Sequence, residues 1–171
     1  MLTTLRQIIE QVLKEPQIDV ALNYLVKKTR EALNVDCCSV YLAEEERQRY
    51  RLIATDGLSK ESVGKVVLRF GEGLVGLVGK TNELLNLADA KSHANFKYIP
   101  EVGEEEFQSF LGVPIEKDGA VLGVLVIQQK ESRQFNEMEE SFLVTLAAQL
   151  ASILYLSELK EKKKTIIIKY L

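Results

Sequence analysis

The chain opens with apolar residues at helical spacing and then changes to strict alternation. Leu2, Leu5, Ile8, Ile9, Val12 and Leu13 follow the three-to-four-residue period of an amphipathic helix, and Pro16 interrupts it. A second stripe, Ile18, Ala21, Leu22, Leu25, Val26, Thr29 and Leu33, predicts another helix that stops near Asn34. From Cys37 the period is two. Residues 37–43 are rich in β-branched and aromatic side chains, and a charged turn at 44–49 leads into residues 50–55, where Tyr50, Leu52 and Ala54 alternate with Arg51, Ile53 and Thr55. This pair predicts a β-hairpin. A third strand places Val66, Leu68 and Phe70 on one face, with Lys65, Val67 and Arg69 on the other.

Residues 71–80 read as a short helix opened by glycines, and 83–87 as a brief extended piece. The stretch 88–106 is polar and irregular, and a connection of that length in a compact domain is usually functional or mobile. Strands at 109–115 and 120–128 flank Lys117-Asp118-Gly119, whose Asp-Gly pair tolerates the positive φ of a tight hairpin. Asn136 then caps a long final helix, with Glu139 placed to complete a capping box. The order predicts an α+β fold: an antiparallel sheet of five to six strands, N- and C-terminal helices on one face and a lid-like segment on the other.

At 171 residues the chain fits one domain, since two halves would each have a marginal core. We assign residues 2–157 to that domain and 158–171 to a charged helix end and linker-like tail. No apolar run approaches the roughly 20 residues of a membrane span, and no signal peptide is recognisable, so a cytoplasmic protein without membrane contact is expected. The net charge of −3 is uneven: residues 158–171 carry five lysines against two glutamates (+3), leaving −6 on the rest. An acidic body opposes nucleic acid as a partner. Cys37 and Cys38 are adjacent, a poor arrangement for a disulfide, and with one histidine no metal site is expected.

Gly71-Glu72-Gly73-Leu74-Val75-Gly76 spells the G-x-G-x-x-G of dinucleotide-binding turns, with Asp89 near the ribose-binding distance. A barely two-turn helix, the hairpin before it and the hairpin after it oppose that reading. The glycines instead suit a tight strand-to-helix turn and close helix–sheet approach. His93 has no nucleophile or orienting acid at recognisable spacing, so a surface or loop-packing role is favoured over catalysis. Glu104-Glu105-Glu106 reads as a solvated turn. Phe96, Tyr98 and Phe107 flank the long connection, where they could close over a ligand or anchor the loop on the sheet.

Several runs, in this order, resemble the GAF domain family: Cys38-Ser39-Val40-Tyr41-Leu42, Ala54-Thr55-Asp56-Gly57-Leu58, the block 71–79, Asn86-Leu87-Ala88-Asp89-Ala90, Phe96 and Leu111-Gly112-Val113-Pro114-Ile115. Asn95-Phe96-Lys97-Tyr98-Ile99-Pro100 and the run 139–147 are more narrowly similar to the N-terminal sensors of bacterial nitrogen-related phosphoenolpyruvate–protein phosphotransferases. That resemblance implies a regulatory, non-catalytic domain in a larger kinase-like transferase. Its signal would be glutamine or a related amino-acid-sized nitrogen metabolite, and its output the autophosphorylation of downstream phosphotransferase domains. No cofactor is implied. Carried over by motif, the ligand pocket would use Ser39 from the first strand, Leu74 and Val75 as a short-helix floor, Phe96, Tyr98 and Phe107 on the lid, and Leu111 from a strand beneath. The apolar stripe of the final helix is broader than one sheet-facing side requires, which predicts a further helical partner: the N-terminal helix first, then a second subunit in a homodimer through Leu146, Leu150 and Ile153.

Overall fold

A computed structural model describes residues 1–100 and 107–171. Helices α1 (Leu2–Lys14) and α2 (Ile18–Leu33) lead into strands β1 (Cys37–Glu44), β2 (Arg49–Asp56) and β3 (Val67–Arg69). Helix α3 (Gly73–Thr81) and β4 (Leu85–Leu87) follow, then β5 (Ser109–Lys117), β6 (Ala120–Gln129) and α4 (Glu137–Tyr170). The expected solvated turn at Glu104-Glu105-Glu106 lies outside the described residues. The strands form one sheet in the order β3-β2-β1-β6-β5-β4, with every neighbouring pair antiparallel. This is the expected α+β arrangement.

Local chemistry sets the boundaries. Asn34 ends α2 and Asn82 ends α3 in the left-handed conformation, at φ 52° and 53°, which asparagine tolerates better than most residues. Asp118 and Gly119 both have positive φ, and the two-residue loop between β5 and β6 is tight for that reason. Asn136 accepts from the Glu139 amide while the Glu139 side chain accepts from the Asn136 amide, forming the capping box. Arg133 then donates two parallel bonds to Glu139, at 2.8 and 2.7 Å. This pair holds the Glu139 carboxyl below the usual carboxylate range.

Two apolar layers sandwich the sheet. On one face α1, α2 and α4 pack onto Cys38, Val40, Leu111, Val113, Ile115, Leu125 and Ile127. On the other, α3 and the segment after β4 cover Cys37, Tyr41, Leu52, Leu68, Phe110, Val124 and Val126. The alternation in β2 is broken, contrary to expectation. Val40 faces Ala54 but Tyr41 faces Leu52, so Ile53 is the extra residue of a β-bulge. Tyr50 and Leu52 consequently lie in the lid-side layer and Ala54 in the helix-side layer.

The broad stripe of α4 also needs correction. Leu146 and Leu150 are 1% exposed and belong to the helix-side core with α1 and α2, and Ile153 packs at its margin. The intramolecular partner named first therefore takes them, and Leu146 and Leu150 are unavailable to a second subunit. The large apolar residues that α4 does expose are others, among them Val144, Tyr155, Leu156, Leu159 and Ile166. By length and composition α4 could cross a membrane, but 39% of its most apolar window is buried within the protein, as suits a core helix. The tail continues this helix without a break to Tyr170.

Candidate functional site

The lid-side layer is built around close backbone approach. Gly71 turns the chain out of β3 with φ +82°, and a Cβ on Gly76 would sit 2.8 Å from the Gly71 carbonyl carbon. A Cβ on Gly79 would overlap the Tyr50 side chain. The G-x-G-x-x-G run thus lets α3 lie directly on the sheet, where Leu74, Val75 and Val78 are buried. With no parallel pair in the sheet, the dinucleotide-binding reading has no support in the fold.

The segment after β4 is fastened to the first turn of α3. Asn95 Nδ2 donates to the carbonyls of Gly71 and Gly73, at 3.1 and 2.9 Å. Lys97 Nζ donates to Glu72 Oε1 at 2.8 Å, and this bond holds the Glu72 carboxyl below its ordinary range. His93 Nδ1 accepts from the Asn95 amide at 3.0 Å, so the single histidine shapes the loop, in line with the loop-packing role.

Between α3, this segment and the sheet lies a small cavity of about 20 Å³. That is room for one water molecule. Its wall includes Leu74, Val75, Phe96, Phe107, Phe110 and Gln128. A wider recess of about 620 Å³ opens outside it between residues 59–67 and 97–100, and Lys97 and Ile99 line both spaces.

The structure therefore brings together Leu74, Val75, Phe96 and Phe107 from among the expected site residues. Ser39 lies in the same face of the sheet but is sealed beneath, fully buried, with its hydroxyl 2.8 Å from Thr55 Oγ1 and 3.5 Å from Cys37 Sγ. Tyr98 is 48% exposed and lines the outer recess instead. Leu111 is the clear correction. It is fully buried in the helix-side core, because alternation along β5 turns Phe110 toward the cavity and Leu111 away.

Sequence reasoning missed Asn95, Lys97, Ile99, Phe110 and Gln128. Gln128 carried a usable signal, since it stands two residues beyond Val126 and four beyond Val124 on the same strand face. Among the described residues no group of three His, Cys, Asp or Glu side chains stands close enough to hold a metal ion. The Cys38 thiol is pushed up by burial, so it is not an activated nucleophile.

The GAF domain profile matches residues 17–154. The chain is 55% identical over 159 residues to a "Phosphoenolpyruvate-dependent phosphotransferase system" protein of Escherichia coli (strain K12), covering 93% of this chain and 21% of that protein. It thus spans about a fifth of the length of this curated relative. It is 38% identical over 93 residues to the Nif-specific regulatory protein of Azospirillum lipoferum, covering 53% of this chain and 15% of that protein. Among solved structures, the GAF domain of a phosphoenolpyruvate-protein phosphotransferase (ptsP) from Coxiella burnetii superposes with a TM-score of 0.90 at 46% identity, over 94% of this chain and 96% of that one. With the sandwich of helices, sheet and lid already established, these likenesses place the chain in the GAF domain family, a regulatory class, and in the branch carried by phosphoenolpyruvate–protein phosphotransferases.

Proposed function

We propose that this domain is the sensory module of a phosphoenolpyruvate–protein phosphotransferase, binding an amino-acid-sized nitrogen metabolite such as glutamine and controlling autophosphorylation of downstream domains. The observation that carries the reading is the pair of spaces on the lid side, a small inner cavity walled by Leu74, Val75 and three phenylalanines and a wider recess with Glu61, Lys65 and Lys97 in its lining, which share Lys97 and Ile99. Phe96, Phe107 and Phe110 crowd the inner cavity down to about 20 Å³, so an amino-acid-sized ligand requires that its wall move. Thermal shift and calorimetry with glutamine, glutamate, 2-oxoglutarate and cyclic nucleotides test this. A bound ligand at 100 times its Kd adds about 2.7 kcal/mol of stability. No shift with any of these compounds removes the reading.

One observation favours a second reading, a ligand-free interaction module. Beyond its last buried residue, Leu154, α4 exposes Leu156, Leu159, Ile166 and Tyr170, one side of the helix interrupted at Lys163. A homodimer would form through this outer stripe rather than through Leu146 and Leu150. Light scattering across concentration separates the readings: Leu156→Glu with Leu159→Glu gives a monomer if the stripe pairs, and leaves a ligand response untouched.

A further inference from the structure

Strand β3 ends the sheet, and its outer edge has no strand partner among the described residues. Phe70 N–H donates to the Gln48 carbonyl and Leu52 N–H to the Val66 carbonyl, at 2.9 and 3.0 Å, so the even-numbered residues of this ladder bond to β2. By the alternation of an antiparallel pair, the N–H and C=O of Val67 and the N–H of Arg69 point away from the sheet. The Arg69 carbonyl accepts from the Glu72 amide at 2.9 Å. An edge of this kind is a template for a further strand.

The charges along the edge select which strand. On the face opposite Leu68, one row of side chains runs Glu44, Arg49, Arg69 across β1, β2 and β3. Arg49 and Arg69 stand opposite each other at the non-hydrogen-bonded position, where side chains are closest and like charges repel. Glu44 accepts from Arg49 at 2.5 Å and from Arg51 at 3.0 and 3.1 Å, and Glu72 accepts from Lys97. Both carboxylates are thus engaged, and neither Arg47 nor Arg69 has an ion-pair partner among the described residues. Arg69 reaches Glu72 only as a longer-range charge. A recess of about 500 Å³ lies here, lined by Arg47, Arg49, Val67, Arg69, Glu72 and Lys97. Four cations against one carboxylate reverse the balance of a body that carries −6 over residues 1–157. The helices that cover this face leave β3 open, where Arg69 is exposed and Val67 is 36% exposed.

The row therefore ends on an unneutralised arginine beside free backbone groups. A small anion would meet the guanidinium and leave the backbone groups to water. A second copy of β3 would bring two cationic edges together. An extended chain with acidic side chains satisfies both. We propose that the open edge of β3 is a docking site for an extended acidic segment of a partner protein, which joins the six-stranded sheet as a further strand. Its carboxylates meet Arg69 and Arg47 and complete the row as acid, base, base, acid. Backbone pairing supplies affinity, and the arginines supply selection. The assignment is independent of the sensor reading, since it needs no metabolite in the inner cavity.

The test uses the 171-residue chain and a fluorescent peptide alternating glutamate with valine, beside its glutamine and lysine counterparts and an N-methylated version. Anisotropy at low ionic strength should show the acidic peptide binding about tenfold tighter than either counterpart. N-methylation should remove binding, and amide NMR shifts on binding should fall on Val67 and Arg69. Arg69→Thr keeps a strand-forming residue and should lose about tenfold in affinity. Arg69→Glu should turn the preference to the lysine counterpart, and Arg6→Thr on α1 should change nothing. If the Arg69 variants fail to fold, Arg47→Gln in the exposed turn gives the same reading, with about a threefold loss. An acidic peptide that binds no tighter than its glutamine counterpart overturns the assignment, as do arginine variants that bind it unchanged. Undiminished binding of the N-methylated peptide, or its acidic parent's full displacement by equimolar pyrophosphate, overturns the strand and leaves a small-anion site. The response of Arg69→Thr to the metabolite panel should match the native chain, so failure of the sensor reading is seen separately.

Discussion

The two faces of the sheet are built differently. The helix-side layer is continuous and aliphatic: Leu22, Val40, Ile115, Leu125, Ile127 and Leu143 show no measurable exposure. Three helices press on it, and the polar groups at its border are locked, Glu139 by a two-pronged guanidinium and a helix cap. The lid-side layer has one short helix brought close by glycines, a loop fastened by Asn95 and Lys97, and a water-sized cavity. The helix-side cluster holds the larger share of the buried apolar residues, and the lid-side face is expected to open more readily. Local stability in a domain is set by such differences in burial and fastening.

Damage to the helix-side face should have the largest effect. Leu143→Ala removes a fully buried side chain that α4 presses onto the sheet and should cost about 2–5 kcal/mol in denaturant unfolding. A cost below about 1 kcal/mol would mean that the two layers share the load evenly.

Glu139→Ala comes next, at about 2 kcal/mol. It removes one side of the capping box and the partner of Arg133, whose side chain at 29% exposure recovers part of its hydration. The same carboxylates give the acid response its sign. Glu44, hydrogen-bonded by Arg51 and Arg49, is lowered to about 2, and Glu139 and Glu72 are also lowered. The unfolded chain therefore takes up protons first as the pH falls. Stability held near neutrality should decline from about pH 4.5 toward about pH 2. A melting temperature that rises on acidification contradicts this.

The smallest global effect falls on the lid. Asn95→Ala loses two bonds to the α3 turn and should cost no more than about 1–2 kcal/mol. Its sharper signature is local: amide exchange should accelerate at residues 95–100 and in the first turn of α3, and remain unchanged in β5 and α4. Spread of the change into α4 would show that the faces open together.

The difference between the faces also explains what was legible from sequence. Helices α1 and α2, the hairpin β5–β6 and the capping box at Asn136 announce themselves because each rests on local periodicity or a local turn residue. The family resemblance named Leu74, Val75, Phe96 and Phe107, and the structure gathers them around one cavity: Leu74 and Val75 stand on a short helix set close to the sheet by Gly76 and Gly79, and Phe96 on a loop held to that helix by Asn95. Leu111 and Ala54 went to the opposite face from the one expected, each through a parity that sequence leaves open. For Ala54 the reason is the bulge at Ile53, and for Leu111 the phase of β5 against its neighbours. Leu146 and Leu150 illustrate another gap. An apolar stripe states that something covers it, and only the packing of α1 against α4 shows that the cover is intramolecular.

The unbroken course of α4 has a mechanical consequence. At 34 residues it is a rod of about 51 Å, and the part after Leu154 extends roughly 24 Å past the last anchored turn. Its near half rests on β5, the strand whose opposite side bears Phe110. A tilt of about 5° at that seat would swing the far tip by roughly 2 Å, the geometry of a lever arm.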